Sequence, residues 1–311
     1  MVPCGPFRAA ERPQKPRDFL IGRFAPTPSG ELHFGSLVGA LGSYLNVKAK
    51  GGLWRLRIDD LDTNRCPPGF ADKILWTLEG YGLAHDGAVI YQSERKEEYR
   101  SALDALNQKS LLFPCSCSRK QIKQTCRFGV EGPIYPGTCR NSSFHAGSQG
   151  QSIRIKTNQT LVSWTDQQYG SQQANLQQEY GDFVVWALDD QASYHLATVV
   201  DEQLDSITEV VRGKDLLNST FRQVFLAQSL GYQSPQFLHL PLVFNEEGNK
   251  LSKHTKAPPL PLDPSQVREQ IRKALSALGQ GPPEALNFDS AQSLLKWAIE
   301  HWNPMTVPQQ A

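Results

Sequence analysis

The chain has 311 residues, 39% of them apolar and 20% charged, with a formal net charge of +1. That length accommodates one large catalytic unit with an insertion, or two domains, around an ordinary core. No run approaches the roughly 20 apolar residues of a membrane helix, residues 1–17 lack the apolar segment of a secretory signal, and the balanced charge leaves any nucleic-acid partner to local basic patches.

Residues 1–17 carry charge and proline and read as a flexible leader, with a cytoplasmic location as the default. A buried strand is expected at 18–24, followed by Ala25-Pro26-Thr27-Pro28-Ser29-Gly30, which neither extends a strand nor fits a helix interior. Residues 32–49 have helical length, Leu53–Ile58 alternates as a strand, and 69–80 has helical spacing through Phe70, Ile74 and Leu78. Strand, glycine-rich turn, helix and strand make a βαβ unit, so the fold class is α/β with a Rossmann-like parallel sheet. A helix over 94–108 follows, with Tyr99, Leu103 and Leu106 on one face.

Residues 114–140 hold several cysteines, glycines and prolines and read as a compact insertion. Short strands are expected at 152–156 and 161–164, a glutamine-rich loop at 170–178, and strands at 183–188, 194–200 and 207–211. A helix over 216–230 comes next, and a Pro-Pro-Leu-Pro linker leads to helices near 265–278 and 290–302. The expected organisation is a leader (1–17), a first catalytic half (18–110), an insertion (111–182), a second catalytic half (183–256) and a C-terminal helical region (257–311).

Two segments carry chemistry. Arg23 to Ser36 places His33 and small residues where a strand hands over to a helix. Unpaired N–H groups and the helix dipole there favour phosphate, although a tight turn with a satisfied surface histidine accounts for the same residues equally well. Far downstream, Lys250-Leu251-Ser252-Lys253-His254 sets two lysines three apart on a polar loop. Such a loop clamps phosphates as charge moves onto a leaving pyrophosphate, while alone it reads more simply as a solvated basic turn.

Together the two segments resemble the HIGH and KMSKS elements of class I aminoacyl-tRNA synthetases, in the right order and with a Rossmann-like pattern between them. Arg23-Phe24-Ala25-Pro26-Thr27-Pro28-Ser29-Gly30-Glu31-Leu32-His33-Phe34-Gly35 is similar to the first motif of glutamyl-tRNA synthetases, and so are Arg57 to Thr63, Val200-Asp201-Glu202 and Val211 to Leu216. The resemblance implies ATP, with Mg²⁺ as counterion, bound over the first motif at His33, Gly35 and Ser36, and glutamate activated as glutamyl-adenylate. His33, Lys253 and Lys250 are then the catalytic residues, with Lys253 on the departing pyrophosphate. It implies Arg23, Ala25, Thr27, Asp59, Tyr194 and Arg212 as the L-glutamate site, the arginines suiting the side-chain carboxylate and Asp59 the ammonium group. Asp59 stands where such enzymes usually have glutamate, Ser36 replaces a histidine, and His254 replaces a small residue.

Cys115-x-Cys117 followed by Tyr135-x-x-x-Cys139 supplies three thiolates and a phenol, a set that suits Zn²⁺. Cys126 is an alternative fourth ligand. The arrangement resembles the zinc insertion of short glutamyl-tRNA synthetase paralogs, which implies Cys115, Cys117, Tyr135 and Cys139 as a structural zinc site. Only 55 residues follow Lys256, against the long anticodon-reading helical region of full glutamyl-tRNA synthetases. The short length, the HFGS and KLSK forms of the motifs and the cysteine insertion resemble glutamyl-queuosine tRNA(Asp) synthetases. That family activates glutamate without tRNA and attaches it to queuosine in the anticodon of tRNA(Asp). A truncated synthetase charging a tRNA 3′ end, and a non-catalytic paralog binding tRNA or an amino acid, are the alternatives. A monomer is expected.

Overall fold

The computed structural model describes residues 20–143, 150–244, 248, 251 and 258–309. Lys250, Lys253 and His254 lie outside the described residues.

In chain order the strands and helices begin with β1 (Ile21–Phe24), α1 (Phe34–Lys48), β2 (Leu53–Ile58), α2 (Phe70–Gly80), β3 (Ile90–Tyr91) and α3 (Lys96–Gln108). Next come β4 (Leu112–Cys115), α4 (Arg119–Thr125), β5 (Phe128–Gly129), β6 (Gly132–Pro133), β7 (Ser152–Ile155), β8 (Leu161–Asp166), β9 (Gly170–Asn175) and α5 (Leu176–Glu179). The chain closes with β10 (Phe183–Trp186), α6 (Tyr194–Leu204), β11 (Glu209–Gly213), α7 (Ser219–Leu230), β12 (Gln236–Leu240), α8 (Pro264–Ala277) and α9 (Ala291–His301).

The main sheet runs β3-β2-β1-β11-β12-β8-β9, parallel throughout except for the β8–β9 hairpin. Its central strands β1, β2, β11 and β12 are largely buried, while the β8–β9 hairpin at one edge alternates or faces solvent. One core joins side chains of α1, α2, α8 and α9, and the other joins those of α3, α6 and α7. Helix α1 lies close on the sheet because two glycines admit it. A Cβ on Gly22 would stand 2.3 Å from Val47 Cγ2, and one on Gly42 would stand 2.6 Å from Leu240 Cδ1. A second sheet, β10-β7-β4, and the β5–β6 hairpin carry the cysteine-bearing stretch.

β1 sits between β2 on one side and β11 on the other. The chain leaves β1 through α1 toward β2 and returns much later to β11, so the crossovers diverge at the carboxyl ends of β1 and β11. Open α/β sheets hold ligands at such a divergence.

Two expectations differ from the structure. Residues 194–200, expected as a strand, lie in α6, where Ser193 caps the helix by accepting from the Leu196 N–H. The helix is buried nearly all round, so its apolar run shows no helical period, and the cap is its sequence signal. Residues 170–178, expected as a loop, form the edge strand β9 and the start of α5; of the strand's glutamines Gln173 is exposed and Gln172 half-buried. β1 begins at Ile21, and the first two residues of the expected 18–24 strand precede the described chain.

Candidate active site

A cavity of about 390 Å³ opens at the carboxyl ends of the four central strands. β1 and the turn after it contribute Arg23 to Thr27, β2 contributes Arg57 and Asp59, β11 contributes Val211 to Gly213, and β12 leads into Leu240 to Val243. His33, Gly35 and Ser36 of the first motif and Tyr194 at the start of α6 complete the wall. The structure therefore brings together every described residue expected to bind nucleotide or amino acid.

His33 is the N-cap of α1, and its Nδ1 accepts from the Ser36 N–H at 3.4 Å. That contact makes Nε2 the donor of the neutral ring. Gly35 allows the ring to lie against the helix turn, since a Cβ there would meet His33 Cε1 at 3.1 Å and the Leu251 carbonyl at 3.4 Å. Leu251, which precedes the second motif's serine and second lysine, lines the same cavity and donates its N–H to the Val243 carbonyl at 2.8 Å. Pro259 bridges to His33, and the Leu260 N–H donates to the Leu32 carbonyl at 3.0 Å. The chain on either side of residues 252–257 is thus fastened beside the first motif.

Three buried arginines face the cavity, each in a different electrostatic setting. Arg23 donates to Glu202 Oε1 from Nε at 3.3 Å and from Nη2 at 3.1 Å. Burial, helped by the neighbouring Arg57 and Arg212, pulls Arg23 below its ordinary range against the pull of Glu202. Arg57 holds Asp59 through Nε at 2.6 Å and Nη2 at 3.3 Å, with Asp201 Oδ2 3.5 Å away. Burial opposes its charge, but Asp59, Asp201 and Glu202 outweigh that and raise it. Asp59 is raised by burial, against the lowering influence of Arg57.

Among the described residues, Arg212 meets only neutral acceptors. Its Nε donates to His239 Nε2 at 3.1 Å, and Nη2 donates to Gln223 Oε1 at 2.7 Å and Thr220 Oγ1 at 2.8 Å. Among the described residues, the Nη1 atoms of Arg57 and Arg212 are both buried without a hydrogen-bond partner. Buried donors are rarely left unmatched. Arg57 and Arg212 both line the cavity, and two guanidinium groups in one wall suit a ligand bearing anionic oxygens.

Sequence reasoning missed Arg57, Glu202, His239 and Asp166 as parts of this arrangement. Arg57 and Glu202 lie inside motif-like segments and were within reach. His239 sits in the apolar run of β12 and Asp166 at the end of β8, with no local pattern to mark either.

In the insertion, the Sγ atoms of Cys115, Cys117 and Cys139 all lie within 4.8 Å of one another. Cys117 Sγ is 3.5 Å from Cys139 Sγ and 3.6 Å from the Tyr135 hydroxyl. Sulfurs around tetrahedral zinc stand about 3.8 Å apart, so the three thiols and the phenol fit one ion. Cys126 turns away, its Sγ facing the Lys123 carbonyl at 3.6 Å. Phe113 and Tyr135 pack beneath the thiols, their ring centroids 5.9 Å apart.

The family of catalytic domains of class I tRNA synthetases for E and Q matches residues 20–292. A curated protein of Aromatoleum aromaticum named glutamyl-Q tRNA(Asp) synthetase is 44% identical over 93% of this chain and 91% of its own length. A protein of the same name from Pseudomonas aeruginosa is 44% identical over 94% of this chain and 96% of its own. Among solved structures, a glutamate tRNA ligase of Elizabethkingia meningosepticum in complex with its amino acid superposes with a TM-score of 0.78 at 25% identity. That match covers 93% of this chain and 66% of the ligase, so the chain spans just under two thirds of its length.

Proposed function

The chain belongs to the class I tRNA synthetase family for E and Q, and from that premise we propose that it activates L-glutamate with ATP and transfers it to queuosine in the anticodon of tRNA(Asp). The relatives named for this activity match nearly their whole length, and the observation that carries the reading is the cavity wall itself, which His33, Arg57, Asp59 and Arg212 line together.

In the first half-reaction a glutamate α-carboxylate oxygen attacks the α-phosphorus of ATP. A new C–O–P linkage forms, the α–β bridging bond breaks and pyrophosphate leaves. His33 donates from Nε2 to the phosphates, and the N-terminus of α1 adds its dipole. Lys253, with Lys250, holds the departing pyrophosphate, with Mg²⁺ as its counterion. Gly35 and Ser36 give the nucleotide close access to the backbone.

Arg212 grips the side-chain carboxylate, with Arg23 beside it. Asp59 offers its carboxylate to the substrate ammonium, and Ala25, Thr27 and Tyr194 close the pocket around the aliphatic chain. In the second half-reaction one of queuosine's cis hydroxyls attacks the activated carbonyl, and AMP leaves with its phosphate oxygen. The rate gain comes from positioning and charge stabilisation, since no bond to the enzyme forms.

Cys115, Cys117, Tyr135 and Cys139 hold a structural Zn²⁺ that closes the insertion. Among the described residues no helix is long and apolar enough to cross a membrane, and the tRNA substrate places the reaction in the cytoplasm. Glutamate-dependent exchange of pyrophosphate into ATP without any RNA tests the first half-reaction. Exchange is expected with glutamate, and an absolute requirement for tRNA would contradict the reading.

A further inference from the structure

Arg212 and His239 are Cα partners in the β11–β12 register, so their side chains leave the same face of the sheet. His239 is fully buried and bonded at both ring nitrogens. Nε2 accepts from Arg212 Nε at 3.1 Å, and Nδ1 lies 2.6 Å from Asp166 Oδ2. Asp166, at the end of β8, is fixed in turn. Its Oδ1 accepts the N–H groups of Gln168 at 2.9 Å and Tyr169 at 3.0 Å, which leaves Oδ2 to face the imidazole. An arginine nitrogen only donates, so His239 Nε2 must carry the lone pair and Nδ1 the proton. The carboxylate fixes that tautomer.

We infer that Asp166 and His239 are positioning residues that lock the Arg212 guanidinium through neutral contacts, so that its charge serves the substrate's side-chain carboxylate and the site selects it over a carboxamide. This rests on the reading of Arg212 given above. The contrast within the cavity supports it. Arg23 spends its charge on Glu202, and Arg57 spends its charge on Asp59 and Asp201. Arg212 is held at Nε and Nη2 by an imidazole, a hydroxyl and a carboxamide, and has no carboxylate partner among the described residues. Its acid, Asp166, stands one imidazole away. A carboxylate bonded directly to Arg212 would hold the side chain equally well, but it would cancel the charge that separates a carboxylate from an amide. Burial and the charge of Arg212 both press the ring toward its neutral form, and they outweigh the opposing hydrogen bond to Asp166 and its charge. The stacking of the His239 and Phe237 rings, centroids 6.2 Å apart, keeps the imidazole plane in place.

The test combines one spectroscopic and one kinetic measurement. In the intact wild-type enzyme, ¹⁵N signals of His239 are expected to show a protonated Nδ1 and a bare Nε2 from roughly pH 6 to 8. A protonated Nε2 in that range, alone or in an imidazolium, would overturn the inference. In Asp166→Asn the two backbone donors keep the amide oxygen on their side, so the NH₂ faces Nδ1. The ring then carries its proton on Nε2, donor against the Arg212 donor.

Pyrophosphate exchange by this variant is expected to show a glutamate KM raised about tenfold or more. The preference for glutamate over glutamine should shrink, while KM for ATP holds and kcat changes far less. His239→Gln, which keeps an acceptor near Nε2, should retain more of that preference than His239→Asn, which keeps only the donor to Asp166. A merely structural pair would move stability with no split between the two variants. A wild-type glutamate KM and preference in Asp166→Asn, where Arg212→Ala has lost both, would sink the inference and leave the reading of Arg212 standing. An unaltered KM in Arg212→Ala would remove that reading and the inference with it. Should Asp166→Asn not fold, the wild-type tautomer decides.

Discussion

Arg23 Nη2 lies 3.1 Å from Glu202 Oε1, with both side chains buried, so the arginine nearest the nucleotide turn brings its own counter-charge from α6. The pair joins β1 to α6 across the sheet. Removing one member leaves an uncompensated buried charge, which typically costs about 3–5 kcal/mol. Glu202→Leu is therefore expected to lose stability of that order in urea unfolding. A loss below about 1 kcal/mol would mean that the pair is effectively solvated.

Among the described residues Arg212 carries no such partner, and its removal should read out in substrate use more than in fold. Arg212→Ala is expected to raise the glutamate KM in pyrophosphate exchange at least about tenfold. KM for ATP should hold. A glutamate KM equal to that of the wild type would remove Arg212 from the amino-acid site.

His33 and Lys253 act on phosphates in this account. His33→Ala should lower the exchange rate by about two orders of magnitude, the usual effect of losing one donor aimed at developing charge, and Lys253→Ala should fall similarly. Glutamate binding in the absence of ATP should survive in both. Wild-type exchange in either variant would overturn the assignment of the two motifs.

Stability in acid has a specific source. His195 is half-buried against Phe183 and Tyr194, and desolvation of its ring, with Arg222 and Arg212 adding to it, pushes its pKa down to about 3. The unfolded chain binds that proton near pH 6.5. Because the folded state refuses it, stability is lost as pH falls from the unfolded value toward the folded one. By pH 5 this single group accounts for about 2 kcal/mol. His239, also lowered by burial, acts in the same direction. His195→Leu should flatten the decline in urea midpoint between neutral pH and pH 5, and parallel declines in variant and wild type would contradict this.

Zinc should separate structure from adenylation. Cys115→Ser is expected to lower bound zinc and weaken transfer to tRNA, while glutamate-dependent exchange persists, because the thiol cluster lies in the insertion and outside the cavity wall. Full zinc content in the variant would take Cys115 out of the site.

The sequence made the parallel sheet and the carriers of the first motif legible, because βαβ grammar and glycine-proline punctuation are local signals. It misjudged α6, whose burial on all sides erased the helical period, although Ser193 marked its start. It also missed β9, since an exposed glutamine-rich edge strand lacks an apolar face. In the site, Arg23, His33, Asp59 and Arg212 stood in readable motifs, and so did Arg57 and Glu202, but no local pattern showed which residues pair, and Asp166 and His239 had no motif at all. Glu202 reaches Arg23 across 179 residues and Asp166 reaches His239 across 73, separations that only the fold closes.

Labelled glutamate and ATP offered to tRNA(Asp) with and without queuosine, and to tRNA(Glu), separate the queuosine acceptor from a 3′ end. The account predicts label on queuosine-bearing tRNA(Asp) alone. Label on the 3′ end of tRNA(Glu) would contradict it and make the chain a minimal charging synthetase.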